Sequence, residues 1–203
     1  MNHPIPPEQK KYTEAGFTLV ELLIASSVFS VILLLLTFGM LQIGKVYYKG
    51  TTSSRTQAVA RNISDEISQS IQFAGGAVTP LSVSGDTTTF CIGDKGYWFK
   101  LDKKLKDEPH VFVVDSSQCA VSFVGTPPQL KRSQRELMVQ NTRLTRLIVN
   151  YDAARKGYGV VVRVAAGDND MFEGDDPNNN CKGGAGGQFC AVSELYTFVQ
   201  KRL

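Results

Sequence analysis

The sequence predicts an α+β protein in which a long N-terminal α-helix, first transmembrane and then amphipathic, packs on a mostly antiparallel β-sheet head. Three observations carry that prediction. Residues 22–44 include no charged side chain. Val59, Ile63, Ile67 and Ile71 recur at four-residue spacing, one face of an amphipathic helix. After Gly75-Gly76 the texture changes to short apolar and β-branched runs divided by turn residues. The expected organisation is a polar leader over 1–16 that is cleaved, a hydrophobic transmembrane and assembly helix over 17–44, an amphipathic helix over 45–74, and a β-rich head over 75–203 with a cysteine-closed C-terminal loop.

As a helix, the uncharged run would be about 34 Å long, enough to cross a hydrocarbon layer of about 30 Å. A conventional secretory signal places its small-residue cleavage site after a short apolar core. Here the order is reversed: the polar stretch MNHPIPPEQKKYTEAG comes first and Gly16 stands before the apolar run. A cut after Gly16 would remove the leader and keep the whole helix as an anchor. Glu21 lies one turn into that helix, where a carboxylate is costly and needs a partner. Cleavage would create such a partner, the α-amino group of Phe17, either in the same chain or in the neighbour of a staggered helix bundle. An ion pair of this kind fixes axial register even where its net stabilisation is nil, because a misregistered helix leaves a charge uncompensated. The plain alternative is a helix-end glutamate snorkelling to the interface.

The run Gly16-Phe17-Thr18-Leu19-Val20-Glu21, continuing Leu22-Leu23-Ile24-Ala25, closely resembles the prepilin cleavage and methylation motif of type IV pilins and pseudopilins. The resemblance extends from about Lys10 to Val46, and the short basic leader with Lys10 and Lys11 fits it. It implies that Gly16 precedes the cut, that Phe17 becomes the N-methylated first residue, and that Glu21 guides docking into a growing filament. The implied partners are a prepilin peptidase, other pilins or pseudopilins, an inner-membrane assembly platform and, before assembly, membrane lipid. The implied location is the cytoplasmic membrane, crossed once with the head outside the cytoplasm, and then a pilus or pseudopilus at the cell surface or in the periplasm. The implied role is structural, in a pilus or a secretion or competence pseudopilus. Asp65 and Glu66, ahead of the glycine break, loosely resemble J-type pseudopilins and minor pilins. Two other roles compete: a tip adhesin or DNA-binding receptor, and a single-pass anchored protein that never polymerises. The positive-inside count runs the other way, since Lys45, Lys49, Arg55 and Arg61 outnumber Lys10 and Lys11; the motif and the cysteines decide the orientation. Many pilins carry a proline inside the apolar helix, and this run has none.

Beyond the run, residues 42–74 lack proline and read as the helix continuing, with a loop over 50–54 as the alternative. Gly75-Gly76 and Pro80 end it. Strands are expected over 88–92, 97–101, 110–114, 120–124, 137–140, 144–151 and 158–165, with Arg155-Lys156-Gly157 as a hairpin turn and a closing strand over 192–199. Residues 133–149 are partly compatible with a helix instead. The Gly-, Asn- and Asp-rich stretch 167–187 reads as a long loop.

The four cysteines, Cys91, Cys119, Cys181 and Cys190, show neither a CxxC pair nor histidine spacing suited to zinc. Their even number fits two disulfides and an oxidising compartment, with connectivity open and free thiols as the alternative. Catalytic material is sparse, only His3 and His110 with no nucleophile or phosphate-loop motif, so neither an enzyme nor a cofactor is expected. Asp168, Asp170, Asp175 and Asp176 offer hard oxygen ligands for calcium, as the C-terminal loops of some pseudopilins do, although the EF-hand pattern fails. The net charge of +3 is too small to imply nucleic acid. Eight basic residues face Glu136 and Asp152 over 127–163, and six acidic residues face Lys182 over 164–194, which makes the head dipolar. Lys131, Arg132, Arg135, Arg143 and Arg146 match no nucleic-acid motif, and Trp98 reads as a core residue.

Overall fold

A computed structural model describes residues 16–74, 77–117, 119, 130–175, 180–184 and 186–202. Residues 1–15 of the leader, Gly75-Gly76 and the strand expected over 120–124 lie outside the described residues. The chain divides into two compact units, Met1–Gly44 and Lys45–Leu203.

One helix, α1 (Leu19–Phe73), runs for 55 residues without interruption. It passes through Gly39, Gly44 and Gly50, so the alternative loop over 50–54 does not form. Isolated helical glycines cost about 1 kcal/mol each relative to alanine, and here the helix tolerates them because no proline removes a backbone donor. In the Lys45–Leu203 unit the four-residue periodicity has its expected meaning. Val59, Ala60, Ile63, Ile67 and Ile71 are all buried.

Eight strands follow: β1 (Ser82–Ser84), β2 (Thr87–Ile92), β3 (Lys95–Lys100), β4 (Phe112–Asp115), β5 (Gln134–Glu136), β6 (Thr142–Asp152), β7 (Gly157–Ala166) and β8 (Ala191–Val199). They make two antiparallel sheets where the sequence suggests one, a five-stranded sheet ordered β1-β2-β3-β4-β5 and a three-stranded sheet ordered β6-β7-β8. The buried face of α1 joins a core with Phe90, Tyr97, Phe99 and Phe112 of the first sheet and Leu144, Val160, Val162 and Val199 of the second. Residues one position apart on a strand point to opposite faces, so Trp98, 3 % exposed, is interior on the face away from Tyr97 and Phe99.

The differences from expectation have local causes. The strand expected over 137–140 forms earlier, at β5. The Glu136 carboxylate accepts the Val111, Phe112 and Met138 N–H groups, and Leu137 N–H donates to the Phe112 carbonyl, which uses up the local pairing groups before residue 138. The helical alternative over 133–149 is replaced by β5 and β6. A register shift between Leu144 and Arg146 leaves Thr142, Arg143, Leu144 and Thr145 all buried, and that bulge breaks the two-residue alternation. β1 is exposed at every position, so it carried no alternation to read. Between β6 and β7 the Asp152 carboxylate accepts the Ala154 and Arg155 N–H groups and Lys156 takes the left-handed conformation, φ 54°, so the turn falls within the expected hairpin.

A polar network holds α1 against the first sheet. Glu66 pairs with Lys95 (2.9 Å) and with Arg135, while the Ser70 hydroxyl accepts from Tyr97 Oη (2.7 Å) and Lys95 Nζ (3.0 Å). Burial works to raise the Glu66 carboxyl, but Lys95 and Arg135 outweigh it and hold the group below the ordinary carboxylate value. On the second sheet, Ser64 and Thr197 share a hydroxyl hydrogen bond of 2.8 Å.

Candidate functional site

Gly16, Phe17 and Thr18 precede α1 outside any regular element. A Cβ placed on Gly16 would meet nothing within 4 Å, and Phe17 is 81 % exposed. The Gly16–Phe17 peptide bond is therefore accessible, which proteolysis requires of a backbone that must enter a catalytic cleft.

Two residues on, the helix start is built by a reciprocal arrangement that the sequence reading missed. Thr18 N–H and the Thr18 hydroxyl donate to Glu21 Oε2 (2.9 and 2.7 Å), and Glu21 N–H donates back to Thr18 Oγ1 (3.3 Å). This is a capping box, and its signal, Thr-x-x-Glu just before an apolar run, is plain in Thr18-Leu19-Val20-Glu21. In the uncut chain the carboxylate thus has donors of its own, and it stands four residues from the amine that a cut would expose.

The described helix over 22–44 is suited to a solvent without hydrogen-bonding capacity. The hydroxyls of Ser26, Ser27, Ser30 and Thr37 donate to the carbonyls of Leu23, Ile24, Ser26 and Leu33, which satisfies each donor within the helix. The apolar side chains stay uncovered, Leu22, Leu35 and Phe38 among them at 63 %, 68 % and 67 % exposed. α1 is long and apolar enough to cross a membrane. An apolar surface this extensive requires lipid or other protein around it.

The other sequence-predicted residues fall within the head. Cys91 bonds to Cys119, and Cys181 to Cys190. Asp168 pairs with Lys104 at 2.6 Å, which holds its carboxyl below the ordinary value, and the Asp170 carbonyl accepts from Lys182 Nζ (2.9 Å). The Asp175 side chain and Asp176 lie outside the described residues. Among the described residues no three of His, Cys, Asp or Glu come together to hold a metal. The basic residues considered for DNA are dispersed in their engagements. Arg135 pairs with Glu66 and Arg146 with Glu194 (3.8 Å), while Arg143 is buried, donating to Asn169 and to the Gly167 carbonyl (2.7 Å). His110, only partly exposed, places Nδ1 3.7 Å from Glu136.

Residues 11–37 match the prokaryotic N-terminal methylation motif family. No curated protein and no solved structure matches the chain.

Proposed function

We propose that this type IV pilin-like chain is a precursor cut after Gly16 by a prepilin peptidase, methylated on Phe17, and assembled through α1 as a structural subunit of a type IV pilus or a related secretion or competence pseudopilus. The observation that carries the reading is the coincidence of three features: the methylation motif over 11–37, an accessible Gly16–Phe17 bond, and a capped helix whose residues 22–44 are uncharged. On this reading the segments are a leader over 1–16, an anchor and assembly helix over 17–44, an amphipathic helix over 45–74 and a head over 75–203. The apolar side chains of the run are covered by lipid before assembly and by neighbouring helices afterwards. Glu21, one turn into the helix, pairs with the amine of a mature Phe17 and sets the axial register of the bundle, because any other register leaves both charges in an apolar core.

The test is the mature N-terminus, determined by mass spectrometry of protein from its own host. An N-methylated Phe17 is expected; an intact Met1, or a cut beyond residue 44, overturns the reading. The filament step is tested separately by Glu21→Ala, which should abolish or distort incorporation while leaving membrane insertion intact. Normal incorporation of that variant would mean that the chain is anchored without using Glu21 to polymerise.

A further inference from the structure

In the Lys45–Leu203 unit, Tyr48, Thr52, Arg55 and Val59 follow one another on α1 at spacings of four, three and four residues, so they share one face of the helix. From Val59 onward that face is apolar and buried against the sheets, through Ile63 and Ile67. Before Val59 the stripe turns polar, and in place of packed side chains there is a hollow of about 510 Å³ lined by Tyr48, Thr52 and Arg55. Close-packed interiors tolerate few voids larger than a water molecule, so a space of this size along the core-facing stripe has the dimensions of a ligand site. Its other walls include Gln140 and Asn141 ahead of β6, Phe189 ahead of β8, and the Lys104–Asp168 ion pair (2.6 Å). Lys104 and Asp168 neutralise each other, which leaves Arg55 as the uncompensated charge among the described lining residues. The side chains of Arg55, Gln140 and Asn141 form no hydrogen bond among the described residues, so their donors and acceptors are open to a ligand. Tyr48 and Phe189, both partly exposed, hold their ring centroids 5.5 Å apart in the same lining.

We propose that this hollow binds an acidic sugar, a pyranose ring bearing a carboxylate, as in a hexuronic-acid unit. Arg55 takes the carboxylate, because the planar guanidinium fork matches its two oxygens. Gln140 and Asn141 take the ring hydroxyls, since an amide both donates and accepts, as a sugar hydroxyl does. The Thr51 hydroxyl donates to the Tyr48 carbonyl (3.0 Å) and keeps its acceptor lone pairs for the same hydroxyls. Tyr48 and Phe189 supply apolar ring surface for the C–H face of the sugar. Two other ligand classes use the site less completely. A hydrocarbon tail would leave Arg55 and both amides unpaired, at a desolvation cost for each. A small inorganic anion would engage Arg55 and leave the amides and aromatic rings without a role. The site lies wholly within residues 45–203 and depends neither on cleavage nor on filament assembly.

The experiment uses the full chain in micelles of a detergent without a sugar headgroup, and titrates glucuronate, glucose, acetate and benzoate, with binding read by saturation-transfer NMR of each ligand. Wild type should bind glucuronate saturably. Glucose and acetate should each bind roughly tenfold or more weakly, because glucose lacks the charge-assisted hydrogen bonds and acetate lacks the ring. Arg55→Gln, a change at an exposed position, should bring glucuronate down to the level of glucose. Phe189→Ala should weaken both sugars severalfold by removing the ring contact. The control Arg132→Gln removes the same charge from an exposed residue outside the described lining and should leave all four titrations unchanged. Absence of saturable glucuronate binding overturns the proposal, as does a loss in Arg132→Gln equal to that in Arg55→Gln. Acetate bound as tightly as glucuronate reduces the hollow to a simple anion site, and benzoate bound more tightly makes it a site for aromatic acids; either result overturns the sugar.

Discussion

The hydroxyl of Ser70 is saturated: it donates to Glu66 (3.4 Å) and accepts from Tyr97 and from Lys95, which fills one donor and two lone pairs. Tyr97 is fully buried, and burial pushes its phenol well above the ordinary value, so the hydroxyl stays neutral and needs its partner. Removing either side of this bond therefore has unequal consequences. Tyr97→Phe deletes the donor and leaves Ser70 with Lys95 and Glu66, at a cost of about 1 kcal/mol. Ser70→Ala leaves the Tyr97 hydroxyl buried without a partner, which costs about 1 to 3 kcal/mol, less up to ~0.5 kcal/mol that alanine returns as helix propensity. Lys95, its side chain 38 % exposed, can turn to water and adds little. In the double variant no hydroxyl is stranded, so the loss should be about that of Tyr97→Phe and the two single effects should fail to add by the whole Ser70→Ala cost, about 0.5 to 3 kcal/mol. Denaturant unfolding of the full chain in micelles, followed by Trp98, reports this directly, since it is the only tryptophan and neighbours Tyr97 on β3. Additive effects would show that the bond does not hold α1 to the sheet.

Other expected outcomes follow from the same core. By loop entropy the Cys91–Cys119 bridge, 28 residues apart, contributes about 3.6 kcal/mol and the Cys181–Cys190 bridge, 9 apart, about 2.6 kcal/mol; paired alanine variants should rank accordingly in unfolding midpoint. Because the folded Glu66 carboxyl lies below its ordinary value, its contribution is present above the unfolded pKa and lost as pH falls through the folded one; Glu66→Gln should flatten the acid side of the stability profile and leave the alkaline side unchanged. Gly157→Ala would bring a Cβ to 2.5 Å from Phe198 Cζ and 2.8 Å from the Val199 carbonyl, an overpacking worth about 1 to 3 kcal/mol in a thermal melt.

What the sequence made legible was whatever periodicity or punctuation encodes. The α1 face at Val59, Ile63, Ile67 and Ile71 was readable because a single spacing served the whole contact. The β6-β7-β8 meander was readable because its strands are long, at 11, 10 and 9 residues, and alternate over most of their length. The failures lie where tertiary pairing overrides local pattern. Glu136 gave no signal that its carboxylate would take three backbone donors and shift β5, and strand-length patterns alone do not say which strands pair, so nothing local distinguishes one sheet from two. At the site, Gly16, Phe17 and Glu21 stand out in the sequence as a small residue before an apolar run and an isolated carboxylate inside one, and the roles given to them belong to the proposed processing. The capping role of Thr18 is a local Thr-x-x-Glu pattern and is legible once Glu21 is read as a hydrogen-bond acceptor as well as a charge.

Glu21 has two candidate partners, and one substitution separates them. Thr18 supplies a hydroxyl and a backbone N–H to the carboxylate in the uncut chain, whereas cleavage would add the Phe17 amine. Thr18→Val keeps the side-chain shape and the N–H bond while deleting the hydroxyl; Glu21→Gln keeps the size and deletes the charge. If the capping box alone explains the glutamate, Thr18→Val frays the helix start, seen as faster amide exchange over 19–22, and impairs incorporation, whereas Glu21→Gln, whose amide oxygen still accepts the Thr18 N–H, incorporates normally. If Glu21 serves filament register through the amine, Thr18→Val frays the start yet still incorporates, whereas Glu21→Gln fails to incorporate because an amide cannot compensate an ammonium in an apolar bundle. We predict the second pattern. Normal incorporation of Glu21→Gln would reduce Glu21 to a helix cap and remove the electrostatic argument for register.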